Sequence, residues 1–315
     1  MINTFSHLRV SSEYSITQGL LTINQIVDSA VKHSVPSVAL TDKSNMFGLV
    51  KFFNKCEAAG IKPISGSSIK VAFEEDDQPF ELLCLAKNNN GHKNLMKIIT
   101  SAHNNYNYQA PIIDFKDLVH LKDQIVVISG GKDSHIFNLL KRHKVDEAEK
   151  RIDKFLSSFK DDFVLEVQKT NRLDEHEYFT NVVPMSSRKG VPIIATNDVL
   201  FAESTDFDTH ETKVCINTSK TLSDPNREKL FSQEQYFKSP EQMENLFDGF
   251  GELISNTNEI SKKCNVSIHT KEYFLPEYPV PKEHDFDSFL VDLSNKRLAK
   301  YISEFNKENK KLYQQ

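Results

Sequence analysis

Apolar residues recur along this chain in two patterns, stripes at helical spacing and short continuous runs. The segment 22–34 shows the first pattern, because Ile23, Ile26 and Ala30 fall on one face of a helix. The segment 37–40 shows the second, which predicts a short buried strand. Further helices are predicted at 48–59, 93–102, 134–141, 146–157, 175–189, 206–216, 240–247 and 251–264, and further strands at 61–64, 68–73, 80–86, 125–128, 163–167 and 192–195.

The order of these elements predicts the fold class, which is α/β. Strands that are apolar on both faces and alternate with helices indicate a parallel sheet covered on both sides. Repeated strand–helix units with polar groups at the strand ends favour a closed barrel with a site at its C-terminal rim. A doubly wound open sheet is the alternative, although no Gly-x-Gly-x-x-Gly motif follows a strand.

Polar side chains concentrate in the opening stretch 5–15, where His7, Arg9 and Ser11 alternate with Leu8 and Val10. On an extended strand the three polar side chains point to one face. We interpret the stretch as a first barrel strand that presents them to a site; an edge strand with a solvated face is the alternative. The apolar run that ends in Thr41-Asp42 supports the first interpretation, because strand-to-helix loops present functional groups in this way.

Composition limits the kinds of partner, covalent cross-link and cellular compartment that fit this protein. The net charge of −5 argues against a broad basic surface for nucleic acid. The four cysteines form no Cys-x-x-Cys pair, which argues against a zinc ribbon or a disulfide framework. The sequence also shows no secretory signal and no apolar run that could span a bilayer. We therefore expect a cytoplasmic protein with no membrane partner.

The C-terminal part has a different character. Three prolines within 273–281 exclude regular helix or central strand and predict a connector. An apolar stripe at helical spacing follows over 286–305 and requires a packing partner. The expected organisation is a barrel domain over 1–270, a connector over 271–285 and the start of another domain over 286–315.

Several of these stretches together closely resemble the N-terminal region of the alpha subunit family of bacterial DNA polymerase III, which is its polymerase-and-histidinol-phosphatase (PHP) domain. They are residues 7–15, 39–42, 48–53, 60–64, 194–198, 206–211, 221–225 and 272–276, in the family's order. The resemblance implies a distorted (βα)7 TIM-like barrel, followed by the first helical part of the polymerase palm. The palm carboxylates and their Mg²⁺ would lie beyond Gln315. DNA-directed DNA polymerase activity, a nucleotidyl transfer, is therefore expected of a longer protein and not of this fragment.

In metal-bearing members of the family the barrel rim binds divalent ions through His, Asp and Glu and hydrolyses phosphoesters. Most of those ligands are replaced in this sequence. The family's His-x-His-x-His is here His7-Leu-Arg9-Val-Ser11, and its Thr-Asp-His is Thr41-Asp42-Lys43. Carried over position by position, the degenerate site comprises His7, Arg9, Ser11, Asp42, Lys43, Ser68, Glu81, Glu166 and Asp198.

The two cations in this set, Arg9 and Lys43, suggest what has replaced the metals. A guanidinium cannot ligate a metal and pairs with carboxylates instead. We therefore expect Arg9 to pair with Asp42 or Asp198 in an ion-pair network that binds no metal. The alternative is one residual Zn²⁺ or Mn²⁺ bound by His7, Asp42 and Asp198.

The resemblance implies a structural role within the polymerase III holoenzyme. The expected function is a scaffold that docks the separate proofreading exonuclease subunit, with DNA contacted through domains absent from this chain. A net negative domain fits a protein partner better than DNA. A metal-dependent phosphoesterase or 3′–5′ exonuclease is the main alternative, and an unrelated small-molecule enzyme on a barrel is the other.

Overall fold

The computed structural model describes residues 5–73, 78–105, 110–269 and 275–304. The chain divides into two compact units, Met1–Ile268 and His269–Gln315. The first unit contains, in order, α1 (Ile23–Lys32), β1 (Ser37–Leu40), α2 (Leu49–Ala59), β2 (Lys62–Ala72), β3 (Phe80–Ala86), α3 (Asn89–Asn104), β4 (Ile112–Asp114), α4 (Phe115–His120), β5 (Ile125–Ile128), α5 (His135–Lys141), α6 (Val145–Phe159), β6 (Phe163–Gln168), α7 (Glu175–Lys189), β7 (Ile193–Thr196), α8 (Phe207–Thr218), α9 (Pro240–Leu246) and α10 (Gly251–Lys263).

The strands form one mixed sheet in the order β1-β2-β3-β5-β6-β7, with β4 beside β2. The prediction of a parallel sheet is wrong at β3, which runs antiparallel to both β2 and β5. The reason is the short connection from Ala72 to Phe80, because a hairpin needs only a few residues whereas a parallel crossover needs a dozen or more. The other neighbouring pairs are parallel, as predicted.

The opening segment connects the two ends of this sheet. His7 forms a parallel bridge with Val38 of β1, and Val10 forms one with Val199, which follows β7. The backbone bonds Ala39 N to His7 O, at 2.8 Å, and Ser11 N to Val199 O, at 2.9 Å, accompany these bridges. The predicted α/β fold with a distorted, barrel-like sheet is thereby confirmed.

The helices lie where the amphipathic stripes predict them, and signals in the sequence mark where they begin and end. Helix α1 begins after Thr22, which forms a capping box with Gln25. Helix α7 spans the predicted 175–189 and ends at Gly190 in the left-handed conformation. The apolar faces of α3, α6 and α7 pack in one buried cluster with residues of the sheet, and that of α1 packs in a second cluster with residues of β1 and α2. A separate buried cluster that includes Leu8, Val164 and Ile194 brings together residues of the opening segment, β6 and β7.

Two local predictions fail. The predicted loop at Gly66 is absent, because β2 continues through it; a Cβ at this position would lie 2.5 Å from the Leu85 side chain of β3. The glycine therefore permits close strand contact and does not mark a turn. The short elements β4 and α4 were not predicted, since neither is long enough to show a period.

In the second unit, residues 275–285 contain no helix or strand, and α11 (Phe286–Glu304) follows them as predicted. Residues 271–274 of the predicted connector and residues 305–315 lie outside the described part of the chain. The assignment of 286–315 to the start of a palm stays a prediction. Across the described ranges, no helix combines the length and the apolar character that crossing a bilayer requires.

Gly130 follows β5 and allows the next turn to approach β3 closely. Its φ is +92°, and a Cβ built on it would lie 2.0 Å from the carbonyl oxygen of Glu81. We expect Gly130→Ala to lower the free energy of unfolding by about 2 kcal/mol or more, from backbone strain and overpacking together. Urea denaturation followed by circular dichroism measures this difference.

Gly60→Ala is the matched control for the backbone contribution. Gly60 has a similar positive φ of +72°, but no atom lies within 4 Å of a Cβ built there. This variant should lose only about 1 kcal/mol, the usual penalty of a left-handed residue. Equal losses in the two variants would show that the contact with Glu81 is unimportant.

Candidate functional site

Arg9 is the centre of a buried ion-pair network inside the barrel. Its Nε lies 3.0 Å from Asp198 Oδ1 and its Nη1 lies 3.3 Å from Glu166 Oε2, while Nη2 donates to Glu81 Oε1. The opening segment supplies Arg9, β3 supplies Glu81, β6 supplies Glu166, and Asp198 follows β7. The Arg9 side chain is only 3 % exposed, so the network is largely shielded from water.

Two further cations complete the network. The Lys43 Nζ lies 3.2 Å from Glu81 Oε2. Arg172, which follows β6, places Nη1 3.1 Å from Asp198 Oδ2 and Nε 3.0 Å from Glu175 Oε1. Glu81 and Asp198 therefore each contact two cations. Among the described residues, Glu166 has an ion pair with Arg9 alone.

The charges of the network shift the pKa values of its members in opposite directions. Burial would raise the pKa of Asp198, but the charges of Arg9 and Arg172 outweigh it and hold that pKa well below its usual range. The pKa of Glu81 is lowered in the same way, by Lys43 and Arg9 against the effect of burial. Burial dominates at Glu166, whose pKa is raised in spite of Arg9. Of the three carboxylates that contact Arg9, Glu166 is thus the one whose pKa is raised.

Polar side chains fix the orientation of Glu166. Its backbone N donates to Ser129 Oγ at 2.9 Å, and its Oε1 accepts a hydrogen bond from Thr196. Gln168 Nε2 lies 3.4 Å from the same Oε1, while Gln168 Oε1 accepts from Arg172 Nη2 at 2.6 Å. These contacts connect the Glu166 backbone to Ser129, directly after β5, and its carboxylate to β7, and Gln168 links it to Arg172.

Asp42 is held by serine residues of the opening segment and not by Arg9. Its carboxylate accepts from Ser12 N and Ser12 Oγ, both at 2.7 Å, and from Ser15 Oγ at 2.6 Å. Burial raises the pKa of Asp42, and these hydrogen bonds oppose the rise. Of the two predicted partners for Arg9, the structure therefore confirms Asp198, and Asp42 instead anchors the opening segment.

His7 does not share a face with Arg9, so the prediction of a regular strand is wrong here. Its Nε2 lies 2.8 Å from the carbonyl oxygen of Lys238, and its ring packs against Phe5 and Phe237, at centroid distances of 4.7 and 4.1 Å. Burial lowers the pKa of His7 to about 4, so the ring is neutral near pH 7. The segment forms isolated bridges to Val38 and Val199 and no regular strand, so strict alternation of its side chains does not apply.

The two serines in the predicted set contribute through the backbone. Ser11 N donates to Val199 O at 2.9 Å, and Ser68 pairs with Lys43 in a parallel bridge. Both residues are buried. They help to hold the loops that carry the charged side chains.

Sequence reasoning missed several members of the site. Arg172 and Glu175 follow β6, as functional groups at strand ends do, so their position was a usable signal. Gln235 donates to Asp198 Oδ2 at 2.8 Å from a long irregular segment, where no pattern marks it. Asp133 lies near the network. Its pKa is raised, mainly by burial and in addition by the negative charge of Glu81.

The side chains at this place do not fit a divalent metal. Arg9 and Lys43 already neutralise the carboxylates, and a guanidinium is not deprotonated in proteins. The alternative trio of His7, Asp42 and Asp198 is engaged in three separate sets of contacts. Within the ranges that the structure describes, no three His, Cys, Asp or Glu side chains are grouped to hold one metal ion.

Comparison with known proteins agrees with this architecture. The PHP domain family model matches residues 7–170, just over half of the chain. The DNA polymerase III subunit alpha of Pseudomonas aeruginosa is 37 % identical over 292 residues, which are 92 % of this chain and 25 % of that protein. The same subunit of Escherichia coli K12 is 39 % identical over 277 residues, 87 % of this chain and 24 % of that protein.

The chain thus spans about a quarter of the length of these curated relatives. Among solved structures, an amidohydrolase from Chromobacterium violaceum with bound sulfate superposes with a TM-score of 0.44 and 13 % identity. That match covers 62 % of this chain and 87 % of the other.

Proposed function

Because this chain belongs to the PHP domain family, we propose that it is a non-catalytic PHP domain of a replicative DNA polymerase. Its relatives are DNA polymerase III alpha subunits, of which it matches about a quarter. In this proposal the full-length protein is the DNA-directed DNA polymerase of the cytoplasmic replisome. Its Mg²⁺-binding palm carboxylates lie outside this chain, and α11 belongs to the start of the palm. DNA is contacted through those other domains.

The observation that carries the non-catalytic assignment is the position of the Arg9 side chain. It lies among three carboxylates that come from β3, β6 and the segment after β7. Hydrolysis of a phosphoester at such a rim needs a metal-bound water with a lowered pKa. A guanidinium supplies neither a ligand nor a base, because it has donors only and stays protonated. The network instead connects strands that are far apart in the sequence, which suits a structural scaffold.

We further propose that this scaffold docks the proofreading exonuclease subunit of the polymerase III holoenzyme. The buried ion pairs connect the opening segment to β3, β6 and the segment after β7, and such preorganisation lowers the entropic cost of docking a partner. The net charge of −5 favours a protein partner over direct contact with the DNA backbone.

Metal content and nuclease activity test the non-catalytic assignment directly. Purified protein dialysed against Zn²⁺ or Mn²⁺ should retain substoichiometric metal by elemental analysis. It should also leave a labelled DNA single strand intact when either ion is added. A PHP phosphoesterase that retains its ligands serves as the control for both assays. Stoichiometric metal together with metal-dependent cleavage would establish the phosphoesterase alternative, which no contact of the network favours.

A further inference from the structure

A second cavity, apart from the Arg9 network, lies between helix α8 and the segment 219–235, which contains no helix or strand. Its volume is about 710 Å³, which is within the range of small-molecule sites. None of the residues that contact Arg9 lines it. Its lining includes three residues of α8 and three of the segment, namely Phe207, Glu211, Thr212, Leu222, Arg227 and Phe231.

The polar part of this lining is a buried ion pair. Arg227 Nη1 donates to Glu211 Oε2, and the side chains of Arg227 and Glu211 are 12 % and 6 % exposed. The other two atoms that could pair, Glu211 Oε1 and Arg227 Nε, are buried and make no hydrogen bond to any residue of the described ranges. A guanidinium and a carboxylate frequently pair through two parallel bonds. This pair instead leaves one acceptor and one donor unused, although buried polar groups normally have partners.

The apolar part of the lining presents two aromatic rings that buried neighbours hold in place. Phe231 packs edge-on against His210 at a centroid distance of 4.8 Å, and Phe207 packs against Phe201 at 6.1 Å. Both neighbours, His210 and Phe201, are fully buried. Leu222 adds an apolar side chain that is 53 % exposed. Rings fixed in this way lose little conformational entropy when a flat ligand packs on them.

The charged side chains of the lining balance one another. Asp208 and Glu211 supply two negative charges, and Arg227 and Lys229 supply two positive charges. A ligand with several anionic groups would require an excess of cations here. The cavity therefore complements a ligand that is largely neutral and carries at most one charged group.

We propose that this cavity binds a nucleobase, either as a nucleoside or as a nucleoside monophosphate. A nucleobase is flat, and its Watson–Crick edge places an N–H donor directly beside an acceptor. Glu211 Oε1 accepts from that N–H, while Arg227 Nε donates to the neighbouring oxygen or ring nitrogen. Phe207 and Phe231 supply apolar contacts for the base, and the exposed Lys229 supplies a cation for a phosphate.

A peptide group matches this pair less well than a nucleobase does. The N–H and C=O of a trans peptide point in opposite directions, so one peptide group cannot bond to both unused atoms. Those two atoms belong to the same guanidinium and carboxylate that already share one bond, and they therefore lie close together. A base edge, with donor and acceptor on the same side, satisfies both of them.

The Arg227 side chain must shift to admit the base, because both unused atoms are covered in this structure. The segment that carries it is held locally by turn hydrogen bonds, Asp224 N to Thr221 O and Arg227 N to Asp224 O, both at 3.2 Å. A movement confined to this segment breaks no hydrogen bond of α8 or of the sheet. Binding is thus compatible with the fold described above.

Isothermal titration calorimetry of the 315-residue chain tests the proposal. The ligands are the four ribonucleosides and their 5′-monophosphates, and ribose 5-phosphate is the matched probe that lacks a base. At least one base-containing ligand should bind one-to-one with a Kd of about 1 mM or lower, and ribose 5-phosphate should not bind. Tighter binding of the monophosphate than of its nucleoside would identify the nucleotide as the ligand, and equal affinities would identify the nucleoside.

Thr212→Phe locates the site, because it adds a ring to the lining from an exposed position of α8 and leaves the buried pair intact. It should weaken binding about tenfold or more by steric exclusion. Thr180→Phe on α7 is the matched control. Both threonines are exposed, and both donate to a carbonyl oxygen of the preceding helical turn, Thr212 to Asp208 at 2.8 Å and Thr180 to Glu177 at 2.9 Å.

Glu211→Gln tests the base edge itself, because it removes the carboxylate acceptor at nearly constant size. It should also weaken binding about tenfold or more. The proposal is overturned if no base-containing ligand binds the parent chain, if ribose 5-phosphate binds as tightly as the nucleotides, or if Thr212→Phe and Thr180→Phe bind alike. None of these results changes the non-catalytic assignment, which depends on Arg9 and its three carboxylates.

Discussion

Replacing Arg9 with methionine should lower the free energy of unfolding by about 3–5 kcal/mol, the usual result of removing one partner from a buried ion pair. The guanidinium contacts Glu81, Glu166 and Asp198, and it is only 3 % exposed. Methionine fills part of the space but supplies no donor, so the carboxylates lose their central cation. Urea denaturation at pH 7 followed by far-ultraviolet circular dichroism measures the loss.

Removal of Arg9 should destabilise the three ionised carboxylates by different amounts. Glu81 keeps Lys43 and Asp198 keeps Arg172, whereas Glu166 has no other cation within ion-pair distance among the described residues. The second change Glu166→Gln should therefore recover a large part of the stability lost in Arg9→Met. Glutamine is neutral, and it can still accept the hydrogen bond that Thr196 donates to Glu166.

Lys43→Met provides the matched control for Arg9→Met. The Lys43 side chain is 29 % exposed, so water screens its pair with Glu81. Its loss should cost about 1 kcal/mol or less. The network interpretation is overturned if Arg9→Met and Lys43→Met lose the same stability, or if Glu166→Gln adds to the loss in place of reversing it.

The sequence predicted most helices because each has both a stripe and an end signal. Helix α2 ends at Gly60 and α7 at Gly190, both in the left-handed conformation that favours glycine. The direction of β3 could not be predicted in this way. Every residue of β3 is buried, and a strand covered on both faces reads alike in either direction.

Of the charge pairs in the candidate site, the sequence predicted the pair of Arg9 with Asp198 and missed the others. The sequence placed Glu81 and Glu166 in the degenerate site, within the buried strands β3 and β6. It named only Asp42 and Asp198 as partners of Arg9, however, and did not predict that Glu81 and Glu166 also pair with Arg9. His7 was misplaced because strict alternation was assumed for a segment that, within the described residues, forms isolated bridges at His7, Val10 and Ser12 and no regular strand. Gln235 was missed because it reaches Asp198 from a distant segment without periodic structure.

The neutral, buried state of His7 has a consequence for stability in mild acid. In an unfolded chain a histidine takes up its proton near pH 6.5, whereas burial lowers the pKa of folded His7 to about 4. Between these values the unfolded state binds more protons, so the stability falls as the pH decreases. The lowered pKa of His7 corresponds to a contribution of about 3 kcal/mol to the free energy of unfolding, which is fully present above pH 7 and is lost as the pH falls to about 4.

His7→Gln should therefore show a shallower decline of unfolding free energy between pH 7 and pH 4.5 than the parent protein, by about 1.4 kcal/mol per pH unit at most. The absolute stability of the variant at pH 7 will be lower, because the contact with the Lys238 carbonyl and the ring packing on Phe237 change. The slope is the informative quantity, since the other titrating groups are common to both proteins. Parallel profiles for His7→Gln and the parent protein would mean that His7 accepts a proton in the folded state as readily as in the unfolded chain. The ring would then have to be accessible to water and not enclosed between Phe5 and Phe237.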